Sequence, residues 1–274
     1  MDNYNWKTLI CKDTFEETLR IAFLQKNLNI IKNKISEDNI NDIIINCYNN
    51  LEEKYPNSRI SILQLAIYQN WYDALKILVK KKINIENNNP RLYNQEKILY
   101  TAIANKCSIN IIKLLIKYGC NIEEYSCNGL YFHNALDYKD KKPIHIAIIT
   151  HHIAALKLLI DINVDIESKV YIDYEDEETE KIPITPIQIA CYSNNIKAFE
   201  LLLKKGANIN YKNFSNNGIT EYAAFNLADK ILKKLKDYNI NINDIKNIID
   251  FIRNNNEHVA YNENKIKNIY KLLI

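Results

Sequence analysis

Apolar residues recur along the chain in a two-part pattern that indicates pairs of short helices. Residues 185–210 read TPIQIACYSNNIKAFELLLKKGANIN, and their second half places Phe199 and Leu202 at helical spacing. The first half is a shorter apolar segment around Ala190, whose small side chain allows a neighbouring helix to approach closely. The pattern predicts a helix–turn–helix unit, and Gly206 predicts a left-handed cap at the end of its second helix.

The same unit recurs in three further segments. Residues 61–86 and 142–167 match residues 185–210 in length, and residues 97–123 have one extra residue between the two halves. Each segment has Ala at its sixth position and closes on an Asn/Asp-Ile-Asn/Glu triplet. Because neither helix of a unit can bury its apolar face on its own, neighbouring copies must stack, so the sequence predicts a repeat architecture.

Weaker copies flank these four. Ala22 and Ala223 continue the series of anchor alanines, and the copy at Ala223 has an alternative register that starts from Gly218-Ile219-Thr220. At the C-terminal end, His258-Val259-Ala260 takes the place of an opening motif, and NIYKLLI (268–274) repeats a second half. These copies predict a single repeat domain over residues 1–274.

Two amphipathic segments between the copies, residues 39–53 and 244–253, are predicted to be helical insertions that pack on the repeats. The domain therefore has three parts. They are a degenerate N-terminal repeat with a helical insertion (15–60), four clear repeats (61–210) and degenerate C-terminal repeats (211–274).

The motifs of the clear copies resemble a known family. TPIQIA, KPIHIA and KKGANIN resemble the TPLHxA opening and GADxN ending of the ankyrin repeat, including the degenerate repeats of poxviral, protist and fungal proteins. The resemblance implies an all-α ankyrin-repeat solenoid of about six to seven helix–turn–helix repeats, with β-hairpin-like finger loops and a concave face that binds proteins. The chain departs from the family in its enlarged loops before Ala66, Ala147 and Ala190, and in the missing Gly at most turn positions.

Composition narrows the partners and the compartment. The net charge of +3, from 36 basic and 33 acidic residues, is too balanced to favour nucleic acid or an anionic membrane. The N-terminus does not resemble a signal peptide, and no apolar stretch approaches the 18 or so residues of a membrane span. Six scattered cysteines without a CxxC pair suggest reduced thiols, so we expect a cytoplasmic protein, with the nucleus as the alternative.

Candidate catalytic and metal-binding groups have simpler explanations within the repeat. His145, His152 and Cys191 could suggest a metal cluster, but the resemblance gives His145 the family's role of holding the preceding turn by hydrogen bonds. The sequence has no zinc, nucleophile or phosphate-loop motif, and Cys107 and Cys120 occupy a turn and an ending motif. We therefore expect no enzyme activity, no cofactor and no bound metal.

Two surfaces are candidates for binding a partner protein. The resemblance places the concave face two and three residues after each anchor alanine, at Tyr68, Gln69, Ala104, Asn105, Ile149, Thr150, Tyr192, Ser193, Phe225 and Asn226. The enlarged fingers carry aromatic residues and the acidic run DYEDEETE, which are typical of interface anchors and of a contact for a basic partner. Their candidates are Tyr131, Phe132, Tyr171, Asp173, Tyr174, Glu175, Asp176, Glu177 and Glu178.

The predicted function is a protein–protein interaction adaptor or scaffold that is monomeric on its own. One alternative is a substrate-recognition subunit of a ubiquitin ligase or a host-interaction effector, although residues 240–274 resemble a repeat more than an F-box-like segment. Another is nucleic-acid binding through the Lys/Asn/Tyr-rich surface, which the near-neutral charge opposes.

Overall fold

Helices make up most of the structure, a computed structural model. It describes residues 14–47, 58–86, 97–126, 140–172, 182–242, 245–255 and 259–273. Within these residues the chain forms fourteen α-helices and four short strands. It divides into two compact units, which are residues 1–146 (unit 1) and residues 147–274 (unit 2).

Unit 1 is a stack of helix pairs, in which first helices pack on first helices and second helices on second helices. Helices α1 and α2, α3 and α4, and α5 and α6 form the pairs, while α5 packs on α3, and α4 packs on both α2 and α6. The helices are α1 (Thr14–Leu24), α2 (Leu28–Lys34), α3 (Ile62–Tyr68), α4 (Tyr72–Lys80), α5 (Ile98–Ala104) and α6 (Ile109–Lys117). Strands β1 (Ile44–Cys47) and β2 (Ser58–Ser61) pair antiparallel before α3.

Unit 2 repeats this arrangement. The first helices α9, α11 and α13 pack in series, and so do the second helices α8, α10, α12 and α14. The helices are α7 (Pro143–Ile149), which begins in unit 1, α8 (Ile153–Asp161), α9 (Pro186–Tyr192), α10 (Ile196–Lys204), α11 (Ile219–Phe225), α12 (Asp229–Asp237), α13 (Lys246–Asn255) and α14 (Val259–Leu273). Strands β3 (Val170–Ile172) and β4 (Ile182–Ile184) pair antiparallel before α9.

The same turn joins the two helices of six pairs, and it is built on the anchor alanine. The carbonyl of each alanine accepts a hydrogen bond of 2.8–2.9 Å from the backbone N–H five residues later. The residue between them, four after the alanine, has a positive φ of 48–57°. These alanines are fully buried, and they are Ala22, Ala66, Ala102, Ala147, Ala190 and Ala223.

The turn confirms the register predicted at both weak copies, Ala22 and Ala223. Gly218 lies five residues before Ala223, just as Thr185 lies five residues before Ala190. The alternative register that starts at Gly218 is therefore the same one, and α11 begins immediately after this glycine.

The residue two before the anchor closes the start of the first helix in four copies. Its side chain accepts a hydrogen bond from the backbone N–H three residues earlier, which would otherwise lack a partner in the helix. These bonds are Ser61 to Gln64 (2.9 Å), Lys142 to His145 Nδ1 (3.0 Å), Thr185 to Gln188 (3.0 Å) and Gly218 to Glu221 (2.7 Å). The predicted role of His145 in holding the preceding turn is thereby confirmed.

Glu221 differs from the other three capping residues because it is an acid. Burial raises the pKa of its carboxyl, but hydrogen bonds from the backbone N–H groups of Glu221 and Gly218 and from the Thr220 hydroxyl outweigh it. Lys212, with its ammonium 3.6 Å from the carboxylate, adds to this effect. The net result is a lowered pKa, so the cap is held as a carboxylate.

The predicted helical insertion in residues 39–53 is wrong where the structure describes it. Ile44–Cys47 is strand β1, which pairs with β2 so that Ile44 lies opposite Ser61. The physical reason is the run Ile43-Ile44-Ile45, because consecutive β-branched residues favour extended backbone over helix.

The predicted opening motif at residues 258–260 is also wrong where the structure describes it, at Val259 and Ala260; His258 lies outside the described residues. Helix α13 packs on α11, and α14 is one continuous helix that packs on α12, so the segment predicted to be an insertion provides the first helix of the last pair. Ile249 is buried on α13, and Ile266 and Ile269 are buried on α14. The prediction that residues 268–274 belong to a second helix holds for the described residues, which end at position 273.

A substitution at Gly206 tests the caps that end the second helices. Gly206 has φ = 88°, and its N–H donates to the carbonyl of Leu203 at 3.0 Å, as predicted for a left-handed cap. Because an L side chain is disfavoured there, Gly206→Ala should lower the free energy of unfolding by about 1 kcal/mol. Urea denaturation measures this, and Lys82→Gly, at an equivalent cap with φ = 60°, should change stability in the opposite direction.

Candidate protein-binding surface

The ends of the first helices in unit 2 form a surface of uncharged side chains. We call it the first-helix surface, and its residues follow each anchor alanine by two and three positions. Phe225 is 43% exposed, and Ile149, Tyr192, Ser193 and Asn226 are half-buried. Thr150 is only 8% exposed, so its prediction as a solvent-facing contact is wrong.

Three aromatic rings lie in a row on this surface. Tyr222 is the middle ring, with its centroid 6.3 Å from Tyr192 and 6.3 Å from Phe225, and both contacts are edge-to-face. Tyr222 itself is buried, and its hydroxyl oxygen accepts a 3.0 Å hydrogen bond from the Asn213 side chain. The buried ring therefore supports two more exposed ones, an arrangement that fixes aromatic side chains before any partner arrives.

Sequence reasoning did not single out Tyr222, although the sequence holds a signal for it. The position one before the anchor alanine is apolar or small elsewhere, as at Leu65, Thr101, Ile146 and Ile189. An aromatic residue there, three residues before Phe225 on the same helix, is a neighbour on the helix surface.

The equivalent positions in unit 1 are more polar. Tyr68 and Gln69 are half-buried, and Asn105 is exposed, with its amide donating to the carbonyl of Thr101 at 2.8 Å. Ala104 is buried, so it cannot contribute a side chain to a contact, contrary to the prediction. Unit 1 therefore presents hydrogen-bonding groups where unit 2 presents rings.

The structure describes some of the predicted finger residues, while others lie outside the described part of the chain. Tyr171 lies on β3 opposite Pro183 and is 52% exposed, as expected for an anchor on a finger. Phe214 is also exposed, whereas Tyr211 packs beneath the Lys169 ammonium, 4.2 Å from the ring centroid. Outside the described residues lie Tyr131, Phe132, Asp173, Tyr174, Glu175, Asp176, Glu177 and Glu178.

Buried thiols of the described residues are held in their protonated form. Burial raises the pKa of Cys107 and of Cys120 to about 12, and it raises the pKa of Cys191 as well. A thiol with such a raised pKa is a poor nucleophile near neutral pH. Within the described ranges, no three His, Cys, Asp or Glu side chains come together as metal ligands, and no helix has the length and apolarity of a membrane span.

Hydrogen bonds between neighbouring repeats are a second feature that sequence reasoning missed. In two copies, the side chain of the residue five after the anchor donates to a carbonyl of the preceding copy, one residue after that copy's anchor. Asn195 does so through its amide to the carbonyl of Ile148 at 2.8 Å, and Cys107 through its thiol to the carbonyl of Ile67 at 3.2 Å. These bonds lie at the turns that precede the second helices, so they hold the first-helix surface in place.

Stacked helix pairs joined by a recurring turn, with antiparallel hairpins before two of the first helices, define a helical repeat protein. Two family profiles match its sequence. The profile described as "Ankyrin repeats (3 copies)" matches residues 19–126, and the profile described as "Ankyrin repeat" matches residues 184–214. The chain belongs to the ankyrin-repeat family.

Similar proteins agree with this assignment. The chain is 24% identical over 184 residues to ankyrin repeat protein FPV031 of fowlpox virus (strain NVSL), covering 60% of this chain and 53% of the viral protein. The chain thus spans about half the length of the curated relative it matches.

Two solved structures share the fold. The human ASB11 ankyrin repeat domain has a TM-score of 0.57 at 18% identity, covering 84% of this chain and 85% of that one. The ankyrin repeat domain of Bcl-3 has a TM-score of 0.56 at 19% identity, covering 85% of this chain and 89% of that one. At these identities the likeness concerns the fold.

Proposed function

We propose that this chain is a non-catalytic adaptor that binds a partner protein through the first-helix surface of unit 2 and the finger loops. The observation that carries the proposal is the exposed ring of Phe225, held edge-to-face on buried Tyr222 beside Tyr192. Ankyrin-repeat domains are typically protein-interaction modules, and aromatic residues dominate the binding energy of many protein interfaces.

The packing of the rings favours tight binding for an entropic reason. A side chain that must be immobilised on binding costs about 0.5–1.5 kcal/mol, and a ring already held by its neighbours avoids much of that cost. Tyr192 and Phe225 contact the same buried ring, so a partner would meet an ordered apolar patch. We place the centre of the interface at these two side chains.

The fingers extend the proposed interface. Tyr171 supplies a second exposed ring on β3, and the acidic run that begins at Asp173 follows directly in the sequence. A partner with an apolar centre and a basic margin would match both features. We also propose a cytoplasmic or nuclear location, which the free thiols of Cys107, Cys120 and Cys191 support.

The similarity to a fowlpox virus protein favours a second candidate, a host-interaction effector or a substrate-recognition subunit of a ubiquitin ligase. Both candidates use a protein-binding surface, and they differ in the partner. Ubiquitin-ligase subunits among the proteins captured in the experiment below would favour the second.

A pair of matched double variants tests the first-helix surface. Tyr192→Ser with Phe225→Ser removes two rings from it, and Tyr118→Ser with Tyr238→Ser removes two exposed rings that follow second helices. In quantitative affinity capture, the first variant should capture about tenfold less, or lower still, of the proteins that bind the native chain. The second variant should capture them in the same amount as the native chain. Thermal melting controls for folding. Equal capture by both variants would move the interface away from Tyr192 and Phe225.

A further inference from the structure

The second helices of the pairs concentrate the positive charge of the chain. Helices α2, α4, α6, α8, α10, α12 and α14 together contain sixteen lysines, six carboxylates and no arginine, a net charge of +10. The whole chain carries +3, so all its other residues together carry −7. The near-neutral total, which argues against an anionic partner, therefore conceals a separation of charge between elements.

In unit 2 this charge lies on one continuous layer. Helix α12 packs against α10 on one side and α14 on the other, with Ile231, Leu232 and Leu235 buried beneath. Some exposed lysines of these helices have ammonium groups that make no hydrogen bond or ion pair with the described chain, and we call this set the lysine face. They are Lys197, Lys204, Lys230, Lys233, Lys265 and Lys271.

Two of the four carboxylates on α10, α12 and α14 are paired with other lysines. Glu200 pairs with Lys234 at 3.0 Å, and Glu263 pairs with Lys267 at 3.0 Å. The lysine face is what remains after this internal pairing. Six ammonium groups at the surface repel one another, and an anionic ligand would relieve that repulsion.

One observation indicates the kind of anion. Exposed carboxylates at Glu200, Asp237 and Glu263 interrupt the layer, and they would oppose a uniform array of phosphates. A polypeptide with spaced carboxylates can align with such a mixed surface.

We infer that the lysine face of unit 2 is a second binding surface, which takes an acidic segment of a partner protein. It lies on the second helices and does not include the first-helix surface. The chain can therefore hold an apolar contact on one set of helices and an electrostatic contact on the other. Loss of one surface should leave the other functional.

The probe is a fluorescein-labelled peptide of alternating glutamate and serine, titrated with the full chain by fluorescence anisotropy at about 50 mM salt, where screening is weak. Lys204→Gln, Lys230→Gln and Lys233→Gln together should weaken binding about tenfold. The control is Lys26→Asn, Lys82→Asn and Lys106→Asn, which removes equal charge at unit 1 turns whose positive φ asparagine tolerates. This control should weaken binding less than about twofold.

Three results would overturn the inference. They are failure of the native chain to bind the peptide, equal weakening by both triple variants, and tighter binding of single-stranded DNA or phosphatidylserine vesicles that the first triple variant abolishes. A second variant on α14, Lys265→Gln with Lys271→Gln, should also weaken binding of the peptide. The double variant at Tyr192 and Phe225 should bind the peptide like the native chain, which separates this surface from the proposed function.

Discussion

Asn195→Ala should lower the free energy of unfolding by about 1–3 kcal/mol. The side chain is buried and makes two hydrogen bonds with different purposes. Its oxygen accepts from the N–H of Ala198 at 3.1 Å and caps α10, while its amide donates to the carbonyl of Ile148 at 2.8 Å. Alanine removes the cap and one of the two hydrogen bonds that the carbonyl of Ile148 accepts, while the N–H of His151 still donates to that carbonyl at 3.0 Å. Each loss costs about 0.5–1.5 kcal/mol.

Urea denaturation followed by circular dichroism measures this effect. The matched control is Asn247→Ala, because Asn247 is exposed at the second residue of α13 and alanine is the better helix former. We expect the control to change the free energy of unfolding by less than about 0.5 kcal/mol. A loss below 1 kcal/mol or so at Asn195 would contradict its role as a link between repeats.

Ala190→Leu should cost about 1–3 kcal/mol through overpacking. Ala190 has no exposed surface, and α9 packs on both α10 and α11. Its carbonyl is also the acceptor of the turn that starts α10, so a shift of α9 to admit a larger side chain would disturb that turn. The close approach that alanine permits is the physical basis of the repeat.

An exposed alanine supplies the control for this substitution. Ala154 lies on α8 and faces solvent, so Ala154→Leu should leave the thermal midpoint nearly unchanged. Scanning calorimetry of the two variants measures the difference. If both leucines are equally tolerated, the anchor is not tightly packed and the explanation of the register by close approach is wrong.

The repeat register could be predicted because it depends on one small residue in a local setting. Each anchor alanine determines where the chain turns, and the next helix starts six residues later in five pairs and seven residues later after Ala102. Even the degenerate copies at Ala22 and Ala223 keep this geometry, because the turn uses backbone hydrogen bonds and does not need a particular side chain four residues on.

The two segments that were predicted wrongly depend on packing that the sequence does not display. Ile44 and Ile45 could continue an amphipathic helix, but pairing with β2 decides in favour of a strand. The sequence around Ala260 matches the opening motif, yet α13 already packs on α11, so no further first helix is needed there. Tertiary contacts override a local resemblance in both cases.

The binding surface was partly predictable for the same reason. Tyr192 and Phe225 follow their anchors at fixed distances, so the sequence alone places them on the first-helix surface. Burial of Thr150 and support of Phe225 by Tyr222 depend on how neighbouring side chains fill space, which a one-dimensional pattern does not contain. Charge separation was hidden because net charge averages over the whole chain.

The antiparallel pairing of β3 with β4 has an evolutionary consequence. Val170 lies opposite Ile184 and Ile172 lies opposite Ile182, so the pairing holds the two ends of the connection over residues 173–181 side by side. Doubling the length of such a stretch costs only about 0.6 kcal/mol in closure entropy. This part of the chain can therefore change in length or in sequence during evolution, and the protein can acquire a different partner while its scaffold stays the same.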